Sequence, residues 1–326
     1  MHFIRLIRPI NLLIIALTMV SARYFLIVYE KFSAADLSFK EGESFDFFLL
    51  VFSTVLIAAA GNIINDYFDV KADRINKPEK LIVTKYIKRR WAIISHWMLN
   101  VVAFSIAIYL SSRNDTFWYV FIHLLTINLL WFYSAYFKRK PIIGNFIIAG
   151  LTALVMILCG VHFYYHSDIN IPTNIDTTNA LNFWIHKIVQ NGNFIVLMGF
   201  FAFANNFSRE IIKDMEDVEG DKVLGAKTFP IIYGKRKSKL LAVLTLTFSP
   251  IFFFAFIQYH LGNFNGPIIE TLKVFLPIVL ALILNFISIL NLIKAQNKSA
   301  LKRSDLFLKI AMLLGILQPF YWLAFI

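Results

Sequence analysis

The sequence predicts an all-α, polytopic membrane protein, and three features carry that prediction. Apolar runs of bilayer-spanning length recur along the whole chain; 58% of the 326 residues are hydrophobic against 16% charged; and the basic residues gather in alternate inter-span segments. A transmembrane helix needs about 20 apolar residues. Runs of that kind fall at 9–29, 47–66, 91–111, 117–136, 141–165, 193–212, 238–258, 268–293 and 304–325, which makes nine helices. Lipid offers no partners for backbone N–H and C=O groups, and these runs are too long and too continuously apolar for barrel strands, so helices are the fitting solution. Little chain is left for a soluble domain. Residues 1–326 therefore read as one transmembrane domain.

The first run, from Pro9 to about Tyr29, lacks a small-residue cleavage site and is too long for a removable signal, so it is expected to stay as a helix. The single cysteine, Cys159, lies in an apolar stretch, where it reads as packing rather than as a thiolate ligand. The net charge of +12 raises the question of nucleic acid, which the position of the basic residues answers. Two Lys or Arg precede the first span, eight lie in 71–90, three in 138–140, eight in 209–239 and four in 294–303, which is 25 of the 32. The opposite loops hold only Lys31, Lys40, Arg113 and Lys187. Positive residues favour the cytoplasmic side, so the N-terminus is expected inside and the C-terminus outside, with membrane lipid rather than nucleic acid as the anionic surface.

Two of the expected cytoplasmic loops, 65–90 and 209–237, also carry dense carboxylates, which topology does not require. At the end of the second span Asn65, Asp69 and Asp73 recur every four residues, with Asp66 beside them. At helical spacing they form one slowly drifting stripe about 12 Å long. At the end of the sixth span Glu210, Asp214, Asp217 and Asp221 share one helical face. Carboxylates brought to about 4 Å repel by about 4 kcal/mol at an effective dielectric near 20, and a cation relieves that repulsion. With no His or Cys in either cluster the donors are hard oxygens, which point to Mg²⁺ rather than Zn²⁺, and Mg²⁺ usually shares its coordination with substrate phosphates. The alternative is that these acids are solvated and paired with neighbouring Lys and Arg. Two clusters at matching helix ends, about 150 residues apart, favour the metal.

Each cluster is followed by basic residues and a proline, Arg74, Lys77, Pro78 and Lys80 in one and Lys222, Lys227 and Pro230 in the other. A third segment, Tyr133 to Lys140, adds Lys138, Arg139 and Lys140, although a short basic loop is also an ordinary topology signal. A bound diphosphate needs partners of this type.

At these residues the chain resembles the UbiA superfamily of intramembrane prenyltransferases, whose signatures are NxxxDxxxD and DxxxD. Asn65, Asp69 and Asp73 match the first, and Asp217 and Asp221 the second. Arg8-Pro9-Ile10-Asn11, Tyr133 with Lys138, and Gly144-Asn145 look like that family as well. The segment Arg209 to Asp221 looks most like family members that prenylate a glycerol phosphate. The resemblance implies a UbiA-like bundle and Mg²⁺-dependent transfer of a polyprenyl group, geranylgeranyl by that segment, from its diphosphate to a prenylglycerol phosphate, forming an ether lipid. An aromatic acceptor is the alternative. It also implies Asp66, Asp69, Asp73, Asp217 and Asp221 as the catalytic set, and Asn65, Asp69, Asp73, Asp217 and Asp221 as metal ligands. Diphosphate contacts would come from Asn65, Arg74, Lys138, Arg209 and Asp214, at the cytoplasmic face of the cell membrane.

Two other classes are weighed against this one. Transporter acids usually sit near the midplane at broken helices, and these sit at helix ends. A CDP-alcohol phosphotransferase would carry glycine after the second aspartate of its DxxD, where this chain has Val70.

Overall fold

The computed structural model describes residues 2–33, 36–39, 41–76, 78–170, 193–223, 225–261 and 266–323. In chain order the helices are α1 (His2–Ile7), α2 (Pro9–Ser33), α3 (Glu43–Asn76), α4 (Arg89–Arg113), α5 (Trp118–Ala135), α6 (Ile143–His166), α7 (Asn193–Val223), α8 (Phe229–Leu261), α9 (Ile268–Val274), α10 (Leu276–Lys294) and α11 (Lys298–Leu323). The expected helical class holds, apart from a short antiparallel ribbon of β1 (Asp36–Phe39) and β2 (Ser167–Asn170), in which Asp36 pairs with Asn170 and Phe39 with Ser167.

Among the described residues seven helices, α3 to α6, α8, α10 and α11, are long and apolar enough to cross a membrane. The expected spans at 9–29 and 193–212 fall on α2 and α7 and are not among the seven. The apolar stretch of α2 given by the described residues is the shorter Pro9–Phe25. Helix α7 turns polar from Asn205, with Asn206, Ser208, Arg209 and Glu210 following, so its apolar part is brief.

The chain divides into two compact units. The first comprises residues 1–16, 42–151 and 213–238. Its centre is α3, which packs on α1, α4 and α5. Lipid gives helices no hydrophobic reason to associate, so small residues and interhelical hydrogen bonds have to do it. Ala59 and Ala60 are buried, and a Cβ on Gly61 would stand 3.0 Å from Leu130 Cδ1, so α3 and α5 approach through a missing side chain. His96 Nδ1 lies 2.9 Å from Ala60 O, and Ser53 Oγ lies 2.8 Å from His123 Nε2.

The second unit comprises residues 17–41, 152–212 and 239–326. Among its described residues α10 packs closely on α11, joined where Asn291 Nδ2 donates to Ala300 O at 2.8 Å and to Ser304 Oγ at 2.7 Å. Between α9 and α10 the helix breaks at Phe275, ahead of Pro277, and a break leaves carbonyls without helical partners. Gln318 Nε2 and Trp322 Nε1 both donate to Val274 O, at 2.9 and 2.6 Å, and close that gap.

Candidate active site

Helix α3 has 34 residues, which at 1.5 Å each is about 51 Å, longer than the about 30 Å hydrocarbon core of a bilayer. Its surplus turns carry the first acidic motif, so Asn65 to Asn76 is helix rather than loop. Apolar positions hold those turns in place. Ile63 and Val70 are buried in a cluster with Leu6, Val83 and Ala92, against which Tyr67 and Ile87 pack. One helix thus presents an apolar stripe at 63, 67 and 70 and a polar stripe at 65, 69 and 73. It ends at Asn76, two residues before Pro78, which disfavours helix in the residue preceding it.

The first unit assembles a charged centre around that stripe. Lys138 lies in the one-turn 3₁₀ segment Phe137–Arg139 between α5 and α6. Its Nζ donates to Asn65 Oδ1 at 3.4 Å and forms an ion pair with Asp69 Oδ2. Burial works against the charge of Lys138, but Asp69, with Tyr133 and Asp221, outweighs it and holds the ammonium well above the ordinary lysine range. Asn65 and Asp69 therefore already turn their oxygens onto one cation, with the Asp221 carboxylate within electrostatic reach.

Backbone contacts fix the turn that presents Lys138. Arg139 N donates to Tyr136 O at 3.2 Å, Lys140 N to Phe137 O at 2.9 Å, and Lys227 N to Arg139 O at 2.8 Å. A Cβ on Gly144 would stand 2.8 Å from Phe137 O and 3.0 Å from Lys138 Cα, so glycine is what lets α6 start against this turn.

The second motif lies on α7. Asp221 is 9% exposed, and Asp217 and Asp214 are half-buried. Two side chains that sequence reasoning did not assign tie the motifs to their surroundings. Asn76, three residues past Asp73, donates through Nδ2 to Asp217 O at 3.1 Å and accepts from Gly220 N at 3.0 Å. A Cβ on Gly220 would fall 2.3 Å from Asn76 Nδ2, so glycine makes room for that clasp. Buried Asn145 donates to Asp214 Oδ2 at 2.8 Å. Asn145 was visible in the sequence only through Gly144-Asn145, and Asn76 gave no signal, because its partners lie more than 140 residues away.

The other expected residues are placed as follows. Asp66 pairs with Arg8, which sits between α1 and α2 at φ +56°, a backbone conformation that non-glycine residues seldom adopt. Asn62 Nδ2 donates to Ile7 O at 2.8 Å and fixes the chain just before it. Asp73 is half-buried on α3, and Arg74 is exposed one residue on. Arg209 belongs to the second unit, where its Nε donates to Asp305 Oδ1 at 2.9 Å and its Nη1 to Asn206 Oδ1 at 3.1 Å.

Among the described residues no three carboxylate, histidine or cysteine side chains converge into a closed metal cage. The donor set is still of the type a hard cation uses when it retains water and shares phosphate oxygens. Chemically, acids on two helices with a lysine between them can hold a cation and an anion side by side.

The model of the UbiA prenyltransferase family matches residues 32–313. The chain is similar to the digeranylgeranylglyceryl phosphate synthase of Methanosphaera stadtmanae, with 29% identity over 85% of this chain and 88% of that one. It is also similar to that of Methanothermobacter thermautotrophicus, with 30% identity over 83% of each. A solved structure described as digeranylgeranylglyceryl phosphate synthase in membranes superposes with a TM-score of 0.59 and 25% identity over 98% of this chain and 97% of that one. A UbiA homologue from Archaeoglobus fulgidus, solved with DMAPP and Mg²⁺, shares the fold with a TM-score of 0.56 at 17% identity, over 97% of this chain and 98% of that one. With its paired aspartate motifs assembled on α3 and α7 and a family match over most of its length, this multi-pass membrane enzyme belongs to the UbiA prenyltransferase family.

Proposed function

We propose that this enzyme transfers a geranylgeranyl group from its diphosphate to the hydroxyl of a prenylglyceryl phosphate, forming the ether bond of a membrane lipid, with Mg²⁺ bound at the two motifs. The observation that carries the reading is the shared cation of Asn65 and Asp69, together with Asp221 in reach of the same ammonium. The names of the similar synthases support the acceptor, and the DMAPP and Mg²⁺ of the Archaeoglobus fulgidus homologue support the donor and the metal. In this reading Asn65, Asp69, Asp73, Asp217 and Asp221 hold the ion, which when bound supplies Lewis-acid stabilisation of the leaving diphosphate.

The chain's own groups do the rest. Lys138, already charged and positioned by its turn, moves from Asp69 onto a diphosphate oxygen, an exchange of one charge-assisted contact for another. The bond between the prenyl C1 and the diphosphate oxygen breaks, and the acceptor hydroxyl oxygen bonds to C1. Its proton passes to the departing diphosphate or to Asp66, which Arg8 positions. Arg74 and Arg209 are the further diphosphate contacts in this reading, and Asp214, bound to Asn145, orients α7. The single domain crosses the cell membrane nine times, with its N-terminus and both motifs at the cytoplasmic face, which the placement of 25 of the 32 basic residues supports.

The test uses detergent-purified enzyme with labelled geranylgeranyl diphosphate and either geranylgeranylglyceryl phosphate or 4-hydroxybenzoate. The expected product is a diether phosphate that requires Mg²⁺ and is absent with Asp69→Ala and Asp217→Ala. A labelled aromatic product instead would overturn the acceptor and keep the mechanism.

A further inference from the structure

Basic residues at the end of a membrane span are an ordinary topology signal, but in the first unit three of them surround one cleft that the reaction above leaves unused. The cleft measures about 370 Å³, and its lining includes Tyr67, Phe68, Lys71, Arg89 and Arg139. No carboxylate lines it. Arg8 and Lys138, by contrast, both pair with aspartates. On α3, residues 67, 68 and 71 occupy the flank turned away from the 65, 69 and 73 stripe, so the helix separates the cleft from the reacting groups. Its occupant is therefore no reactant.

Depth along the helices places the cleft among lipid headgroups. At 1.5 Å per residue Tyr67 and Lys71 stand about 36 and about 42 Å along α3 from Glu43, beyond a hydrocarbon core of about 30 Å and within the about 40–45 Å that includes the headgroups. Arg89 opens α4, and Arg139 lies in the turn just past α5. The cleft thus sits at the ends of three helices that are long and apolar enough to cross a membrane. Helix α4 starts without an acid in its first turn and without a capping side chain, so its positive end adds to the cations. The Arg89 guanidinium lies 4.3 Å from the centre of the Tyr67 ring and donates through Nη2 to Tyr67 O at 3.4 Å, which holds one cation across α3 and α4.

From the cations an aromatic track runs toward the bilayer interior. The Phe68 ring stands 5.8 Å from that of Trp131, and Trp131 stands 5.5 Å from Trp97, centre to centre. Trp97 lies about 12 Å along α4 from Arg89 and is 52% exposed, on the same side as exposed Ile94, Met98 and Val101. Cations at headgroup depth with exposed rings directly deeper match an amphipathic anion lying along α4 better than a free one.

We propose that this cleft binds the headgroup of an anionic phosphodiester lipid from the surrounding membrane, as a resident lipid that is not consumed. Arg89 and Lys71 hold the phosphate, Arg139 adds charge, and an acyl chain lies along Phe68, Trp131 and Trp97. Between Lys71 on α3 and Arg89 on α4, the headgroup ties the two helices together behind the acidic motif. A zwitterionic lipid offers the same phosphate but brings a cation into a site without acids, so the cleft disfavours it. The lipid plays no part in the transfer, and the site stands whichever acceptor the enzyme uses.

Native mass spectrometry of the full chain in neutral detergent counts the bound lipid directly. The probes are dioleoylphosphatidylglycerol, dioleoylphosphatidylcholine and inorganic phosphate at equal concentrations, without Mg²⁺ or prenyl diphosphate. Wild-type enzyme is expected to hold phosphatidylglycerol with a preference of at least about tenfold over phosphatidylcholine and over phosphate. Lys71→Gln/Arg89→Gln is expected to lose that preference, and Lys235→Gln/Arg236→Gln, which removes the same charge from exposed positions on α8, to keep it. An unchanged lipid-free thermal midpoint verifies folding. If the midpoint of the cleft variant falls, Lys71→Gln alone, at an exposed side chain, replaces it and is expected to lower the preference several-fold. Phosphate bound as well as the lipid, no preference over phosphatidylcholine, or a preference that survives the cleft substitutions overturns the proposal. Equal loss in both charge variants also overturns it, in favour of a general attraction between anionic lipid and a chain of net charge +12.

Discussion

The two ends of α3 place the same residue types in opposite electrostatic settings. At the N-terminal end Glu43 and Asp46 occupy the first turn, where the positive end of the helix dipole favours them. Asp46 is 1% exposed and pairs with Arg113 at 2.9 Å, and a Cβ on Gly42, at φ +82°, would stand 2.1 Å from Arg113 Nη2. At the C-terminal end Asp73 stands in the last turn, against the negative end of the same dipole, and Asp66 and Asp69, about three and two turns before that end, meet cations from elsewhere, Arg8 and Lys138. The acids of the first turn serve the fold. The acids that a buried apolar stripe holds in a helix beyond the apolar run mark the candidate site.

The sharpest way to break that comparison is to exchange acids at each end for their amides. Asp69→Asn is expected to lower prenyl transfer at least about 100-fold, and Asp46→Asn to leave it within a few-fold, in the labelled-product assay. If both lose activity equally, the two ends do not differ in role. The next largest effect concerns Lys138. Lys138→Met removes the ammonium that occupies Asn65 and Asp69, so Mg²⁺ binding without diphosphate is expected to tighten several-fold while kcat falls about 100-fold. Weaker Mg²⁺ binding in titration calorimetry would contradict the exchange of Lys138 between aspartate and diphosphate.

A smaller effect follows from the clasp. Asn76→Ala removes two hydrogen bonds of about 1 kcal/mol each, and Gly220→Ala forces Asn76 aside. Both are expected to reduce kcat about tenfold by loosening α7 against α3, with KM for diphosphate nearly unchanged. The smallest effect belongs to the N-terminal end, where Asp46→Asn is expected to lower the thermal midpoint by several degrees in a detergent melt. An unchanged midpoint there would show that the Asp46–Arg113 pair, exposed on the arginine side, contributes little.

Much of the site was legible because its pattern is local. The four-residue spacing of Asn65, Asp69 and Asp73 guarantees a shared face on any helix, whereas Lys138 was singled out from its basic neighbours only by the family resemblance of its segment. Asn76, Arg8 and Asn145 were not assigned, because an asparagine or arginine becomes a positioning group only through partners at 58 to 144 positions' distance. The acidic segments were read as loops after the spans. The first is helical to Asn76 because Ile63, Tyr67 and Val70 keep one side of α3 packed past the apolar run, and that packing depends on Leu6, Val83 and Ala92 from elsewhere in the chain.

By itself, then, the sequence determined the solvent this protein expects, its helical class and the two oxygen-rich motifs, because hydropathy and helical periodicity act within about 20 residues of chain. Only the tertiary structure decided which cation meets which acid. Asp69 received Lys138, Asp66 received Arg8, and Arg209 was taken by Asp305. The physical reason is that charge pairing depends on distance in space, and a helical bundle sets those distances by packing small residues such as Gly61, Gly144 and Gly220 at its crossings.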